Sequence, residues 1–223
     1  LGRDWLGFGI PRRVRAGYVA REDNPTLTSR RVSRLRRQYP AENLNEWLYL
    51  NTKRQTSRMM LDNPEDLEQL IQNAKVRKLE IVFLDVFNRL HSADENNNSE
   101  MRVVLDRIEQ LQAEASCAVC IIHHTAKADD PESSVVASAR GASAIAGFAE
   151  FAGRIDTVDV KQRIRRLRWD SKAAEEASPT YFRIADHEEE SILKLEVIDG
   201  YQEDPERSAT SHGSRSSARR ERQ

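Results

Sequence analysis

A run of buried-strand type, Lys-Leu-Glu-Ile-Val-Phe-Leu-Asp at residues 78 to 85, stops on a carboxylate, Asp85. A second apolar run, Cys-Ala-Val-Cys-Ile-Ile-His-His at 117 to 124, stops on two imidazoles, His123 and His124. Parallel α/β sheets gather their chemistry at the carboxyl ends of strands. An aspartate at such an end can hold the water shell of Mg²⁺ at the phosphates of a nucleotide. Glu22 follows an earlier strand candidate, and a carboxylate there can polarise a water that attacks a γ-phosphate. Successive strand residues face opposite ways, so one histidine can face such a site while the other bonds elsewhere. A group so placed can sense a γ-phosphate and pass that state to a mobile loop. Plainer readings stand beside these. Asp85 can be a loop or helix-capping aspartate after a core strand. Glu22 and Asp23 can be a surface pair at a helix start, where the helix dipole favours them.

Other residues are candidates for charge work. Arg140 opens Arg-Gly-Ala-Ser-Ala and could reach a phosphate across a subunit boundary, or be a loop arginine ahead of a helix. Lys172 ends Arg-Leu-Arg-Trp-Asp-Ser-Lys and could be a second phosphate-directed cation, or an edge-strand lysine that blocks aggregation. Cys117 and Cys120 spell C-x-x-C without a second pair, which reads as two buried structural cysteines. The remaining histidines, His91, His187 and His212, are scattered, and nothing near His123-His124 has metal-ligand spacing. The phosphate loop G-x-x-x-x-G-K-[ST], which would complete an ATP site, occurs nowhere in these residues.

These residues need elements to position them. Val14 to Ala20 reads as a short strand. Asn24-Pro25 starts a helix to about Gln38, since an Asn cap satisfies free N–H groups and Pro suits the first turn. Leu27, Val32 and Leu35 are its expected apolar positions. Leu44 to Leu50 reads as a strand. Asn63-Pro64 starts a helix to about Ala74, with Leu67, Leu70 and Ile71 as its buried stripe. Leu79 to Leu84 is apolar enough to be covered on both faces. Phe87 to Asn98 reads as a polar loop, Ser99 to Glu114 as an amphipathic helix, and Ala118 to Ile122 as the next buried strand. A polar, flexible stretch is expected over 126 to 139 and a short helix within 143 to 152. Arg163 to Asp170, Tyr181 to Ile184 and Ile192 to Ile198 read as antiparallel strands. Helix–strand alternation argues a parallel α/β core over residues 1 to 202. Residues 203 to 223 are Ser- and Arg-rich without an apolar period, which reads as a disordered tail.

The chain has 223 residues, enough for one sizeable domain. Its formal net charge is -1, which exerts no global pull on nucleic acid or anionic membranes. Arginines do cluster locally, at Arg30, Arg31, Arg34, Arg36 and Arg37 and at Arg163, Arg165, Arg166 and Arg168. Each cluster could meet a nucleic-acid backbone or be a solvated face. There is no apolar run of about 18 residues, so no membrane span is expected. With two cysteines and no secretory signal pattern, a reduced cytoplasm is the expected compartment. Leu1 in place of Met fits a fragment, a processed product or an incomplete gene reading.

Taken in order, Glu-Asp after a strand, Leu-Asp-Val-Phe-Asn-Arg-Leu-His, the acidic Ala-Asp-Glu-Asn-Asn-Asn-Ser-Glu-Met loop, Ile-Ile-His-His-Thr-Ala-Lys, Arg-Gly-Ala-Ser-Ala-Ile and a late Ser-Lys form one pattern. The pattern resembles the RepA-type replicative helicases, within the RecA-like branch of P-loop ATPases. It spans roughly residues 14 to 198 and is most specific from Asp85 to Ile145. The resemblance implies a RecA-like, mostly parallel sheet flanked by helices, followed by antiparallel strands. It implies that Glu22 is the catalytic glutamate, Asp85 the Walker B aspartate that holds Mg²⁺ through water, and His123-His124 the sensor. It implies that Arg140 is an arginine finger offered to a neighbouring subunit and that Lys172 lies beside the subunit interface. It further implies ATP as substrate, a ring-shaped homo-oligomer, usually a hexamer, and single-stranded DNA in its pore, with Lys127 and Arg140 as candidate contacts. The loop from Lys127 to Ala139 is then the DNA-facing element. The strand, phosphate loop and first helix of the family are expected ahead of Leu1, and residues 1 to 223 alone are expected to bind nucleotide poorly. The competing expectation is a non-catalytic DNA-binding or regulatory remnant of the same fold.

Overall fold

The computed structural model describes residues 2, 4–52, 59–125, 133–135, 143–172, 177–187 and 192–202. Two four-stranded sheets organise them. The first is parallel, in the order β2-β1-β3-β4, built from β1 (Ala16–Ala20), β2 (Leu48–Thr52), β3 (Ile81–Asp85) and β4 (Ala118–Ile122). The second is antiparallel, in the order β5-β6-β7-β8, built from β5 (Phe151–Asp159), β6 (Ile164–Ser171), β7 (Thr180–His187) and β8 (Ile192–Val197). The α/β class with late antiparallel strands is therefore present. Lys127, Arg140, most of the 127–139 loop and the tail from 203 lie outside the described residues.

Three helices are capped by an asparagine side chain, and two of those asparagines precede proline. Asn24 Oδ1 accepts from Leu27 N at 2.9 Å and starts α1 (Pro25–Gln38). Asn63 Oδ1 accepts from Glu65 N at 2.9 Å and Asp66 N at 3.3 Å and starts α3 (Pro64–Arg77). Asn97 does the same for Ser99 and Glu100 at the start of α4 (Asn98–Ala115). Such a cap satisfies N–H groups that have no partner inside the helix. Two of these helices stop on left-handed residues, Lys78 after α3 and Ser116 after α4. That turn swings the chain directly into β3 and β4.

α3 and α4 bury one face of the parallel sheet. Leu67, Leu70, Ile71 and Ala74 from α3 meet Met101, Leu105, Ile108 and Leu111 from α4 over Val19, Val82 and Leu84. Each large aliphatic side chain buried there stabilises the fold by roughly 1.5–3 kcal/mol. Gly17 lies on that face too, where a Cβ would come within 2.8 Å of Leu79 Cδ1.

Several expectations need correction. The stretch read as one strand over 44–50 is a single helical turn, α2 (Leu44–Trp47), followed by β2. Burial of Leu44 and the Asn43 Nδ2 to Glu46 Oε1 bond at 2.7 Å favour that turn. In α1 the buried residues are Thr28 and Val32, one turn apart, while Leu27 and Leu35 are exposed. β3 is covered on one face only, since Ile81 and Phe83 are half-buried. β4 is an edge strand, half-buried in its middle and exposed at Ala118 and Ile122. Cys120 is accordingly half-buried, whereas Cys117 is buried. The polar loop after β3 begins with a short 3₁₀ turn, Phe87–Arg89, and buries Phe87, Leu90 and His91. The helix read into 143–152 ends at Phe148 as α5 (Ser143–Phe148), and Phe151 already opens β5. That strand carries Arg154, Asp156 and Asp159, so its composition hides it.

Candidate functional site

The strand ends place the site. Ala20, Asp85 and Ile122 stand side by side in register at the carboxyl ends of β1, β3 and β4. One step further, Arg21 N donates to Asp85 O, extending the β1–β3 ladder past the strand. Glu22 and His124 therefore leave the sheet on the same end as Asp85. His124 Nε2 lies 3.2 Å from Glu22 Oε1, and both side chains are about half exposed. Two of the residues singled out in the sequence, far apart in the chain, thus meet in space.

Asp85 is buried and on the half-covered face of the sheet, where Tyr18 also lies. The Tyr18 hydroxyl donates to Asp85 Oδ2. Burial first, then the bond and charge of Asp85, push the Tyr18 phenol well above its ordinary value. Tyr18 therefore remains a proton donor and fixes the carboxylate in one orientation. No other hydrogen bond to the Asp85 carboxylate is made among the described residues. No group of three His, Cys, Asp or Glu capable of holding a metal ion occurs among them either. One oriented carboxylate suits Mg²⁺ held through its water shell rather than through a protein cage.

Arg21 is the anchor beneath Glu22. Its guanidinium is buried and donates from Nη1 to the carbonyls of Ala20 and Asn51, each at 3.0 Å, and from Nη2 to Asn51 Oδ1 at 2.7 Å. Burial disfavours its charge. These bonds tie the end of β1 to the end of β2, so the next residue, Glu22, is presented outward from a fixed backbone.

His123 turns away from His124, as alternation along a strand requires. Its side chain is 9% exposed, and Nδ1 lies 3.8 Å from Glu95 Oε1. Phe87 lies edge-on to it, with ring centroids 6.1 Å apart.

Lys172 is elsewhere. Its Nζ donates to the carbonyl of Gly147 in α5, and its backbone N–H to the carbonyl of Glu150 at 3.1 Å. That bonding ties α5 to the end of β6 and gives Lys172 no link to Glu22 or Asp85. Part of the second arginine cluster is not a solvated face. Arg154 and Arg166 are buried and Arg168 is nearly so, and all three lie within 4 Å of Asp156. Arg154 also donates to Ser133 Oγ at 2.9 Å and Arg168 to Ser133 O at 3.1 Å. In the first cluster, Arg31 pairs with Asp23 and Arg36 with Asn45, while Arg30 and Arg37 are exposed.

Sequence reasoning missed Tyr18, Arg21, Glu95 and His91. Tyr18 had one available signal: in a parallel pair it shares a face with Asp85 two steps along. The other three had none in spacing alone.

No helix among the described residues is long and apolar enough to cross a membrane. No curated protein matches the chain. A family model described as an AAA domain matches residues 1–130, a span that holds β1 to β4 together with Glu22, Asp85, His123 and His124. That match covers more than half of the 223 residues and coincides with the parallel sheet and its strand-end site, so the chain belongs to the AAA_25 family of ATPase-type AAA domains.

Proposed function

We propose that the protein hydrolyses ATP and couples hydrolysis to movement along, or unwinding of, DNA, in the manner of RepA-type replicative helicases. The observation that carries this reading is the Glu22–His124 contact of 3.2 Å at the strand ends that also hold Asp85. Glu22 acts as the general base that orients and polarises the attacking water. Asp85, oriented by Tyr18, holds the hydration shell of a divalent cation. A Mg²⁺ ion held there would supply positive charge to the phosphates of the nucleotide. His124 reads the state of Glu22 and transmits it through the end of β4 into the segment that follows. That segment carries Lys127 and Arg140, the proposed contacts to single-stranded DNA and to the neighbouring subunit of a homo-oligomeric ring. Within residues 1–223 no G-x-x-x-x-G-K-[ST] supplies backbone N–H groups and a lysine for the phosphates. Nucleotide affinity of these residues alone is therefore weak, and binding at roughly tens of micromolar would overturn that statement.

The test is DNA-stimulated ATP hydrolysis and strand displacement by the product of the complete reading frame. Glu22→Gln and Asp85→Asn should each lower kcat by at least about 10²-fold while leaving the melting curve unchanged. Normal turnover in both variants would sink the site assignment. A second reading, DNA binding without hydrolysis, is favoured by exposed Arg30 and Arg37 on α1. It predicts affinity that falls steeply with salt and ignores ATP.

A further inference from the structure

We propose that Glu95 and His91 are positioning residues for His123, fixing that imidazole behind the Glu22–His124 pair. The functional consequence rests on the ATPase reading; the geometry does not.

Phe87 follows β3 by one residue and is fully buried. Two imidazoles flank its ring. His91 lies at 4.6 Å between centroids, tilted by 57°, and His123 lies edge-on at 6.1 Å and 86°. Such packing restricts the plane of each imidazole. Glu95 supplies the charge. Its Oε1 is buried and makes no hydrogen bond, and it stands 3.8 Å from His123 Nδ1. At that separation the carboxylate acts by charge and favours a proton on Nδ1.

His91 completes the group. It is buried, and neither ring nitrogen has a partner in good hydrogen-bond geometry. Burial, the largest influence, holds it toward its neutral form. The carboxylates of Glu95 and Asp62 and the backbone of Ala93 oppose that, and His123 reinforces it. Buried polar atoms without a full set of hydrogen bonds cost free energy. Asn88 Oδ1 is a further such atom on the same turn. These polar atoms are gathered on one short turn beside the strand-end site, next to His123.

The segment carrying these groups is held from below. Leu61 N donates to Leu90 O at 2.6 Å, and Ser92 N donates to Asp62 Oδ2 at 2.8 Å. Its far end is tied to the cap of α4, where Asp94 N donates to Glu100 Oε2 at 2.9 Å. Glu95 is therefore a fixed charge on a fixed segment, and His123 is adjacent to the residue that touches Glu22. A change in His123 orientation moves His124 with it.

The experiment records imidazole ¹⁵N spectra of the 223-residue chain across pH, for wild type, Glu95→Gln and Glu95→Asp. It pairs them with ATPase kinetics of the complete reading frame carrying the same changes. In Glu95→Gln the His123 population should move away from the Nδ1–H tautomer, and the titration midpoint of His91 should fall. kcat should drop about tenfold with KM for ATP within about twofold. Glu95→Asp should restore both in part. Unchanged spectra in Glu95→Gln would overturn the proposal, as would altered spectra with unchanged kcat. Altered spectra together with no hydrolysis by the wild-type protein would instead sink the ATPase reading and leave the charge pairing standing.

Discussion

In the parallel sheet, Val19, Val82 and Leu84 lie buried under α3 and α4, and Glu22, Asp85, His123 and His124 stand at or just past the strand ends. The antiparallel sheet turns Arg154, Asp156 and Arg166 inward on one face and leaves Phe151 and Ile155 exposed on the other. Its apolar cluster is small, Leu6, Leu167 and Phe182, with Phe8 and Trp169 against it. Gly153 lets the Trp169 ring lie flat on the sheet, because a Cβ there would come within 2.7 Å of the ring. The first sheet is thus held by dispersion and hydrophobic burial, which involve no titrating group. The second packs the charged groups of Arg154, Arg166 and Arg168 around Asp156. Rigid strand ends suit a site in which a 1 Å displacement matters. A charge-held sheet suits a part that has to respond to its surroundings, and its clamp on Ser133 reaches the segment between β4 and α5.

That contrast can be broken by mutation. Leu105→Ala, in the middle of the α4 stripe, should cost about 2–5 kcal/mol by urea denaturation, through lost burial and the cavity left behind. A cost below about 1 kcal/mol would mean the parallel half is not packed as described. Asp156→Asn should cost about 3–5 kcal/mol, by removing the carboxylate that Arg154, Arg166 and Arg168 surround. Its effect should be concentrated in hydrogen exchange of β5 and β6 rather than of β1 and β3. Equal loss in both sheets would show that they unfold as one unit.

The pH dependence sharpens the comparison. Burial lowers His91 below its ordinary value, so the folded state binds fewer protons than the unfolded state in that window. Stability contributed by neutral His91 is complete above the unfolded value near about 6.5 and declines as pH falls below it. His91→Gln should flatten this acid-side loss, and an unchanged slope between about pH 7 and 5 would show that His91 does not set it. The smallest effect is expected at Leu35→Ala. Because Leu35 is 40% exposed, it should change stability by less than about 0.5 kcal/mol. A larger loss would place α1 against a surface that these contacts do not include.

Helix starts were the most legible part of the fold. Asn24-Pro25 and Asn63-Pro64 are local signals, since the cap oxygen and the bonded N–H groups lie within three residues of each other. The α4 stripe was equally plain, because its five buried residues recur at helical spacing. β5 was not, because charged residues such as Arg154 and Asp156 fill alternate positions where an apolar strand pattern would be expected, and their further partners lie on β6 and at Ser133. Nor did apolar composition reveal that β4 is an edge strand, since strand order depends on which neighbour arrives. At the site, the types Glu22, Asp85 and His123-His124 were readable as strand-end chemistry, while Lys172 could not be placed from its spacing.

By itself the sequence determined the local elements, the strand ends that carry carboxylates and imidazoles, and the family pattern over them. Those follow from interactions within a few residues, such as caps, periodicity and chain direction. Only the tertiary structure decided that Glu22 meets His124, that Tyr18 orients Asp85, that Glu95 faces His123 and that Arg154, Arg166 and Arg168 surround Asp156. Each of these contacts except the Arg154–Asp156 pair joins residues on different strands or loops, and even that pair is buried among partners on β6. Register and strand order create them, and neither is encoded in any one segment.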